Sequence, residues 1–324
     1  MNLFNTLIEA AKYTWNEKPM WKFILAYVVP PVAIICTLIY IFYVSYFQPF
    51  FTNEFSADFP QNILQTPDGI GMLVGISILW CFQLIMMLLI AAGSITHTWQ
   101  HTNLSKNAED LLPFEQSVKN TFWHIFVTKA IFFFIFLFVL AIFIAGYYFA
   151  IQMENIFLIV VMIITSIIVL PLIITIPIIL PATFPIWING EHSVKSFMNE
   201  AWDYGRSNFW QLVLAQIIIY VARMSVTTAV SFILQPVFLM LYVVLLAGIF
   251  LASLSPTITI LLMLLMAIAL GLFTALFAII TYLMHGLKYI YFTMIYDQVL
   301  QSADPTVQLS EENIIEKERF NETI

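Results

Sequence analysis

Six stretches of the chain are apolar for long enough to cross a bilayer, and the polar positions fall between them. A membrane-spanning helix needs about 20 mostly apolar residues, since ~30 Å of hydrocarbon is crossed at 1.5 Å per residue. Segments 23–47, 72–95, 130–151, 156–180, 209–234 and 257–282 meet that length. Segment 237–252 is apolar but short, bracketed by Pro236 and Pro256, and reads as the distal end of a kinked helix or as a re-entrant segment. The segments before the odd-numbered spans show helical periodicity instead. Phe4, Leu7, Ile8, Ala11 and Trp15 share one face of the first, and Leu111, Phe114, Val118 and Phe122 one face of the second. Val194, Phe197, Met198, Ala201 and Trp202 share a face of the third, with Lys195, Asn199, Glu200 and Asp203 opposite. Such amphipathic helices lie in the membrane interface, with Trp at headgroup depth. They serve either as simple start and stop elements or as a cytoplasmic collar that docks a protein partner through Val194, Phe197, Met198 and Trp202. The expected fold is all-α: a polytopic transmembrane helix bundle of about six spans with interfacial amphipathic helices on the cytoplasmic side. It forms a single domain over 1–301, followed by an acidic cytoplasmic tail at 302–324.

Charge sets the orientation. Of the 12 Lys and Arg residues, three precede the first span (Lys12, Lys18, Lys22) and three lie between the second and third (Lys106, Lys119, Lys129). Lys195 and Arg206 lie between the fourth and fifth, and Lys288, Lys317 and Arg319 lie at and after the end of the sixth. The intervening segments 48–71, 152–155 and 235–256 carry no Lys or Arg, only the acids Glu54, Asp58, Asp68 and Glu154. The positive-inside rule then places both termini in the cytoplasm. A seventh span at 237–252 would put the C-terminal basic residues outside.

Composition agrees with the pattern. The chain is 61% hydrophobic and 10% charged, with a mean hydropathy of +0.93. A soluble domain carries about 25% charged residues. The net charge of −7, with no basic patch, gives no reason to expect nucleic acid as a partner; membrane lipid is the expected surrounding. Cys36 and Cys81 fall in apolar spans and read as packing residues. Residues 1–22 are polar and amphipathic, unlike a cleaved signal peptide, so the first apolar segment is expected to stay as a helix. In the tail, Ser310 with Glu311 and Glu312 reads as a helix start, either solvated or docked on a partner.

The polar segments also echo one another. Glu115, Ser117, Val118 and Lys119 recur as Glu191, Ser193, Val194 and Lys195, and the entry to span three, Asn120, Thr121, Phe122 and Trp123, is echoed at the entry to span five by Ser207, Asn208, Phe209 and Trp210. Glu9, Ala10 and Tyr13 echo Glu200, Ala201 and Tyr204. An amphipathic helix closing in Gly205, Arg206, Ser207, Asn208, Phe209 and Trp210 stands at the mouth of a long span. A last span closes in Tyr289, Ile290, Tyr291, Phe292, Thr293, Met294, Ile295, Tyr296 and Asp297. In these features the chain resembles the six-helix bacterial membrane families related to the membrane domain of glycerophosphodiester phosphodiesterases. The resemblance implies an all-helical bundle in a bacterial inner membrane. It does not bring the phosphodiesterase activity, which belongs to a separate soluble domain. Some such families are encoded near chaperone-like ATPases, which the resemblance makes a candidate association.

Candidate chemistry is sparse. Arg223 lies inside the fifth span, where a buried guanidinium costs about 2.5–3.5 kcal/mol on insertion scales. It either snorkels toward the outer interface or joins a polar seam with Gln83, Gln211, Gln216, Ser225, Thr227, Thr228 and Ser231. His97 and His101, four apart, have the spacing of a metal-binding pair, but no glutamate stands between them and a third ligand would have to come from His124 or Glu109. A polar helix end explains them more simply, and no cofactor or metal is expected. His285 reads as a helix C-terminal histidine. Pro30 and Pro31 in the first span, and Pro171, Pro177, Pro181 and Pro185 in and after the fourth, should kink or break those helices. No nucleophile–base pair or phosphate loop is present. The function expected is a non-enzymatic scaffold or accessory subunit of a membrane complex. The alternative is a transporter or lipid-handling protein that uses the proline-rich fourth span and Arg223.

Overall fold

The computed structural model describes residues 2–42, 67–103, 113–153, 156–188, 193–252 and 256–303, and among these there is no strand. The helices are α1 (Leu3–Asn16), α2 (Lys18–Phe42), α3 (Pro67–Asn103), α4 (Phe114–Gln152), α5 (Ile156–Thr183), α6 (Val194–Ser207), α7 (Phe209–Ala252) and α8 (Pro256–Ala303). A 3-10 turn, Phe184–Ile188, follows α5. Five helices are long and apolar enough to cross a membrane, over Lys18–Ile39, Gly69–Thr102, Phe114–Gln152, Phe209–Val237 and Ala267–Ser302. The fourth sequence span falls in α5, where apolar stretches Ile156–Ile167 and Ile179–Ile188 flank a segment whose side chains lie outside the described residues. The tail helix expected at Ser310, and His192, Glu109 and the acids Glu54 and Asp58, also lie outside them.

Several helices run further than the hydropathy suggests. The 44 residues of α7 and the 48 of α8 correspond to about 66 and 72 Å, twice the hydrocarbon thickness. Segment 237–252 is the continuation of α7 through Pro236, so the expected loop at 235–256 is largely helical. Nor is the second amphipathic segment a separate helix. Nothing between Phe114 and Lys129 breaks a helix, and α4 runs unbroken from that segment into its span. The other two junctions do break. α1 and α2 meet around Glu17, with Pro19 in the first turn of α2, and α6 and α7 meet at Asn208, whose amide donates to the Tyr204 carbonyl at 3.0 Å. At the N-terminus of α6, the Ser193 hydroxyl accepts from the Ser196 amide at 3.2 Å, the side-chain cap that starts a helix after a loop. α2 continues through Pro30 and Pro31, and α5 through Pro171 and Pro177.

The chain divides into two compact units. One comprises Glu17–Ile90 and Val221–His285. In it α2 packs at glycines: a methyl on Gly271 would stand 3.2 Å from the Cys36 sulfur, and one on Gly75 would stand 2.7 Å from Leu38. Small residues bring helix backbones close where no hydrophobic effect drives them together. The other unit comprises Met1–Asn16, Ala91–Tyr220 and Gly286–Ile324, and it holds the densest buried core.

Candidate functional site: an aromatic collar with an outward apolar face

The second unit is built round the last part of α8. Tyr289, Ile290, Tyr291, Phe292, Thr293, Ile295, Tyr296 and Asp297 are all buried. These residues occupy every side of the helix, so this segment is a strut enclosed on all faces. Its neighbours attach through aromatic rings and a few hydrogen bonds. Tyr291 Oη donates to the Leu3 carbonyl of α1 at 3.1 Å, and the Thr6 hydroxyl of α1 stands 3.3 Å from Gln298 Oε1. Phe184 of the 3-10 turn stacks on Tyr289 at 6.0 Å and 17°. The Tyr296 ring meets Trp99 of α3 at 5.8 Å and Tyr204 of α6 edge-on at 5.2 Å. Lys129 of α4 places its ammonium 5.6 Å from the centroids of both Phe184 and Tyr289. Burial, and then the neighbouring Tyr296, push the Tyr204 phenol well above its ordinary pKa.

Trp187 is the second anchor. Its indole Nε1 donates to the Thr128 hydroxyl at 3.2 Å, and its ring stacks on Phe197 of α6 at 4.4 Å and 11°. His124 of α4 closes on the same indole at 4.8 Å. Pro185 sits buried two residues before it, in the 3-10 turn. α4, the turn and α6 therefore meet on one side chain. Nothing in hydropathy or periodicity singles out Trp187; Pro185 was the available signal only for the end of the helix, since proline cannot donate the next helical hydrogen bond.

The histidine pair serves packing. Tyr13 Oη and His97 Nδ1 are 2.8 Å apart, the Tyr13 ring lies edge-on to His101 at 5.0 Å, and Phe114 covers His97 at 6.1 Å. Among the described residues there is no group of three His, Cys, Asp or Glu side chains placed to hold a metal. His124, a third ligand weighed from sequence, lies against Trp187 instead. Beside this cluster the Thr96 and Thr121 hydroxyls hydrogen-bond α3 to α4. Gly93 makes room for the Phe114 ring, which a methyl at that position would overlap.

The outward faces complete the site. α1 turns Thr6, Ala10 and Thr14 inward and leaves Phe4, Ile8, Ala11 and Trp15 exposed. Its apolar face, which in a water-soluble protein would be the buried one, is thus presented outward. α6 buries Phe197 and Gly205 and exposes Val194, Met198 and Trp202, a stripe with i, i+4, i+8 spacing. Phe197, expected from sequence to share the docking face, is at 0% exposure and lies inside the collar. Its ring is claimed by Trp187, and only the other three members of that set remain available. Trp123 and Trp210 are exposed as well.

The polar residues weighed from sequence lie on two helices, α3 and α7. Gln83 is exposed on α3, and Arg223 is exposed on α7. Gln216 is half-buried on α7, and its Oε1 has no hydrogen bond among the described residues. A separate cleft of about 500 Å³ is lined by Asn2, Asn208, Gln211, Gln298, Val299 and Ser302. Among the described residues its lining is of amides and one hydroxyl, which suit hydrogen bonding. No protein-family model matches the chain, and no curated protein or solved structure matches it either. The arrangement itself is therefore the ground for any functional reading.

Proposed function

We propose that this chain is a non-enzymatic multi-pass protein of a bacterial inner membrane that acts as a scaffold or accessory subunit of a membrane complex. On this reading it has six spans, with α5 as the one beyond the five long apolar helices, and both termini lie in the cytoplasm. The observation that carries the reading is the division of labour within α1 and α6. Each commits one face to the collar, through Thr6, Ala10 and Thr14 or through Phe197 and Gly205, and leaves an apolar stripe outside. A rigid collar that presents Val194, Met198 and Trp202 on a helix locked by Phe197 is suited to hold another component, with lipid headgroups around the exposed tryptophans.

The test uses the full chain in its own membrane. Blue-native electrophoresis after mild detergent extraction should show a discrete complex larger than the monomer. Replacing Met198 and Trp202 together with Ser should dissolve that complex while the monomer stays monodisperse. A wild-type protein that runs as a monomer, and that crosslinks to no protein in intact membranes, would sink the reading.

A further inference from the structure

The cleft of about 500 Å³ in the second unit has a lining of nearly one chemical kind. Asn2 precedes α1, Asn208 and Gln211 stand at the start of α7, and Gln298, Val299 and Ser302 lie on the last turns of α8. Three helix ends therefore meet around it, all within one compact unit. Its volume lies within the ~300–1,000 Å³ of small-molecule sites.

The fold uses only part of the hydrogen-bonding capacity gathered there. Asn2 Oδ1 accepts from the Asn5 amide at 3.3 Å, and Gln298 Oε1 accepts from the Thr6 hydroxyl at 3.3 Å. Asn208 Nδ2 donates to the Tyr204 carbonyl at 3.2 Å, and the Ser302 hydroxyl donates to the Val299 carbonyl at 2.8 Å. The amide nitrogens of Asn2 and Gln298 are left as donors, and Asn208 Oδ1 and the Ser302 oxygen as acceptors. Gln211 makes no hydrogen bond among the described residues, so its carboxamide adds one more of each kind.

That inventory selects a ligand. Neutral amides and a hydroxyl do not offset the dehydration of an ion, and an apolar group would leave the polar lining unpaired. A nucleobase stacks on aromatic rings, whereas the apolar member of this lining is Val299. A hydroxyl donates one hydrogen bond, accepts two and rotates to suit, so neighbouring hydroxyls match a wall of mixed donors and acceptors. We infer that this cleft binds a polyol, the sugar or glycerol headgroup of a lipid or a free sugar. Each carboxamide engages two adjacent hydroxyls, donating to one and accepting from the other. Trp210, beside Gln211, is 79% exposed at the start of a crossing helix, where tryptophan marks headgroup depth, and this favours the lipid source. A polyol held there touches α1, α7 and α8 at once and clips the N-terminal helix to the strut, so its binding stabilises the closed collar. The inference goes beyond the scaffold reading and needs no protein partner; a monomeric protein keeps the cleft.

Native mass spectrometry of the full chain in lipid nanodiscs tests it. The discs hold phosphatidylcholine with equal parts of phosphatidylglycerol, glucosyl diacylglycerol, phosphatidylethanolamine and phosphatidic acid. Phosphatidic acid carries the phosphate of phosphatidylglycerol without its glycerol diol. The protein should retain one or both polyol lipids at least ~5-fold over phosphatidylethanolamine and phosphatidic acid, and Gln211→Leu should remove that preference, as the loss of a ligand hydrogen bond does. Gln211 is exposed and its amide holds nothing in the described fold, so the variant should melt with the parent. In discs of phosphatidylcholine alone, saturation-transfer NMR with glucose reads the free source. Transfer that Gln211→Leu abolishes, without a lipid preference, assigns the cleft to a soluble polyol. Phosphatidic acid or phosphatidylethanolamine retained as well as both polyol lipids, together with no such transfer, would overturn the inference. So would any preference or transfer that Gln211→Leu leaves unchanged.

Discussion

Phe197→Ala isolates the contact that holds α6 to the collar. The ring has 0% exposure and stacks on Trp187 at 4.4 Å and 11°. Full burial of such a ring is worth about 1.5–3 kcal/mol, and an aromatic pair adds about 0.5–1.5. Truncation of a buried Phe to Ala costs about 3–5 kcal/mol once the cavity is included. α6 is held otherwise by the edge contact of Tyr204 on Tyr296 and by the approach of Gly205, where a methyl would stand 3.2 Å from Ile179. The loss should therefore show first as local opening of α6 rather than as global unfolding. A cysteine at Ala201, half-buried on the packed side, reports that opening. The natural Cys81 is exposed and must first be replaced by Ser. A loss of about 3 kcal/mol raises the open population roughly 100-fold, and maleimide labelling should accelerate by that order in the limit of fast opening. A labelling rate and a melting temperature that both match the parent would refute the reasoning, because α6 would then be held by something other than Phe197.

Other outcomes follow from the same packing. Gly93→Ala puts a methyl into the Phe114 ring and onto Val118, and overpacking of that kind should cost about 1–3 kcal/mol, read as a lower melting temperature in detergent. Trp187→Phe keeps most of the stack but removes the donor to Thr128, so a loss of about 1 kcal/mol is expected, smaller than for Trp187→Ala. Tyr204 binds its proton more tightly folded than unfolded. Once pH rises past about 10 the unfolded phenol ionises first, so stability should fall there, and Tyr204→Phe should flatten that part of the pH–stability curve. The same variant removes a buried hydroxyl that has no hydrogen bond among the described residues, so near neutrality it should be harmless or stabilising.

Long apolar runs were legible because a span needs length and little else, and α2, α3, α4, α7 and α8 lie where hydropathy puts them. Their ends were less legible. α8 runs on through Tyr289 and Tyr296 to Ala303, because a helix sheathed by other helices needs no hydrophobic window to persist. The periodicity of α1 was read correctly as amphipathic, but not which face the fold uses. Beside a bilayer both an apolar and a small-residue face have a favourable place to go, so Phe4 and Trp15 faced out while Thr6, Ala10 and Thr14 packed in. The same ambiguity split Phe197 from Met198, adjacent residues on one apolar arc. Trp187 as an anchor, and Lys129 between two rings, depend on contacts between distant parts of the chain that no local pattern encodes.

The hydrogen bond from Tyr291 to the Leu3 carbonyl joins residues 288 apart in sequence. A ribosome delivers α1 first and the strut of α8 last. Until the strut follows, α1 can rest on α3 through Tyr13, which meets His97 and His101, but it lacks the contacts of Leu3 and Thr6 with α8. Closing so long a loop is slow, and surface left open meanwhile invites wrong associations. The collar thus acts as a completion check: a chain cut short before residue 289 has every earlier span and no finished collar. In such a fragment α1 would lack the hydrogen bond from Tyr291 to the Leu3 carbonyl and would rest on its Tyr13 contacts with α3.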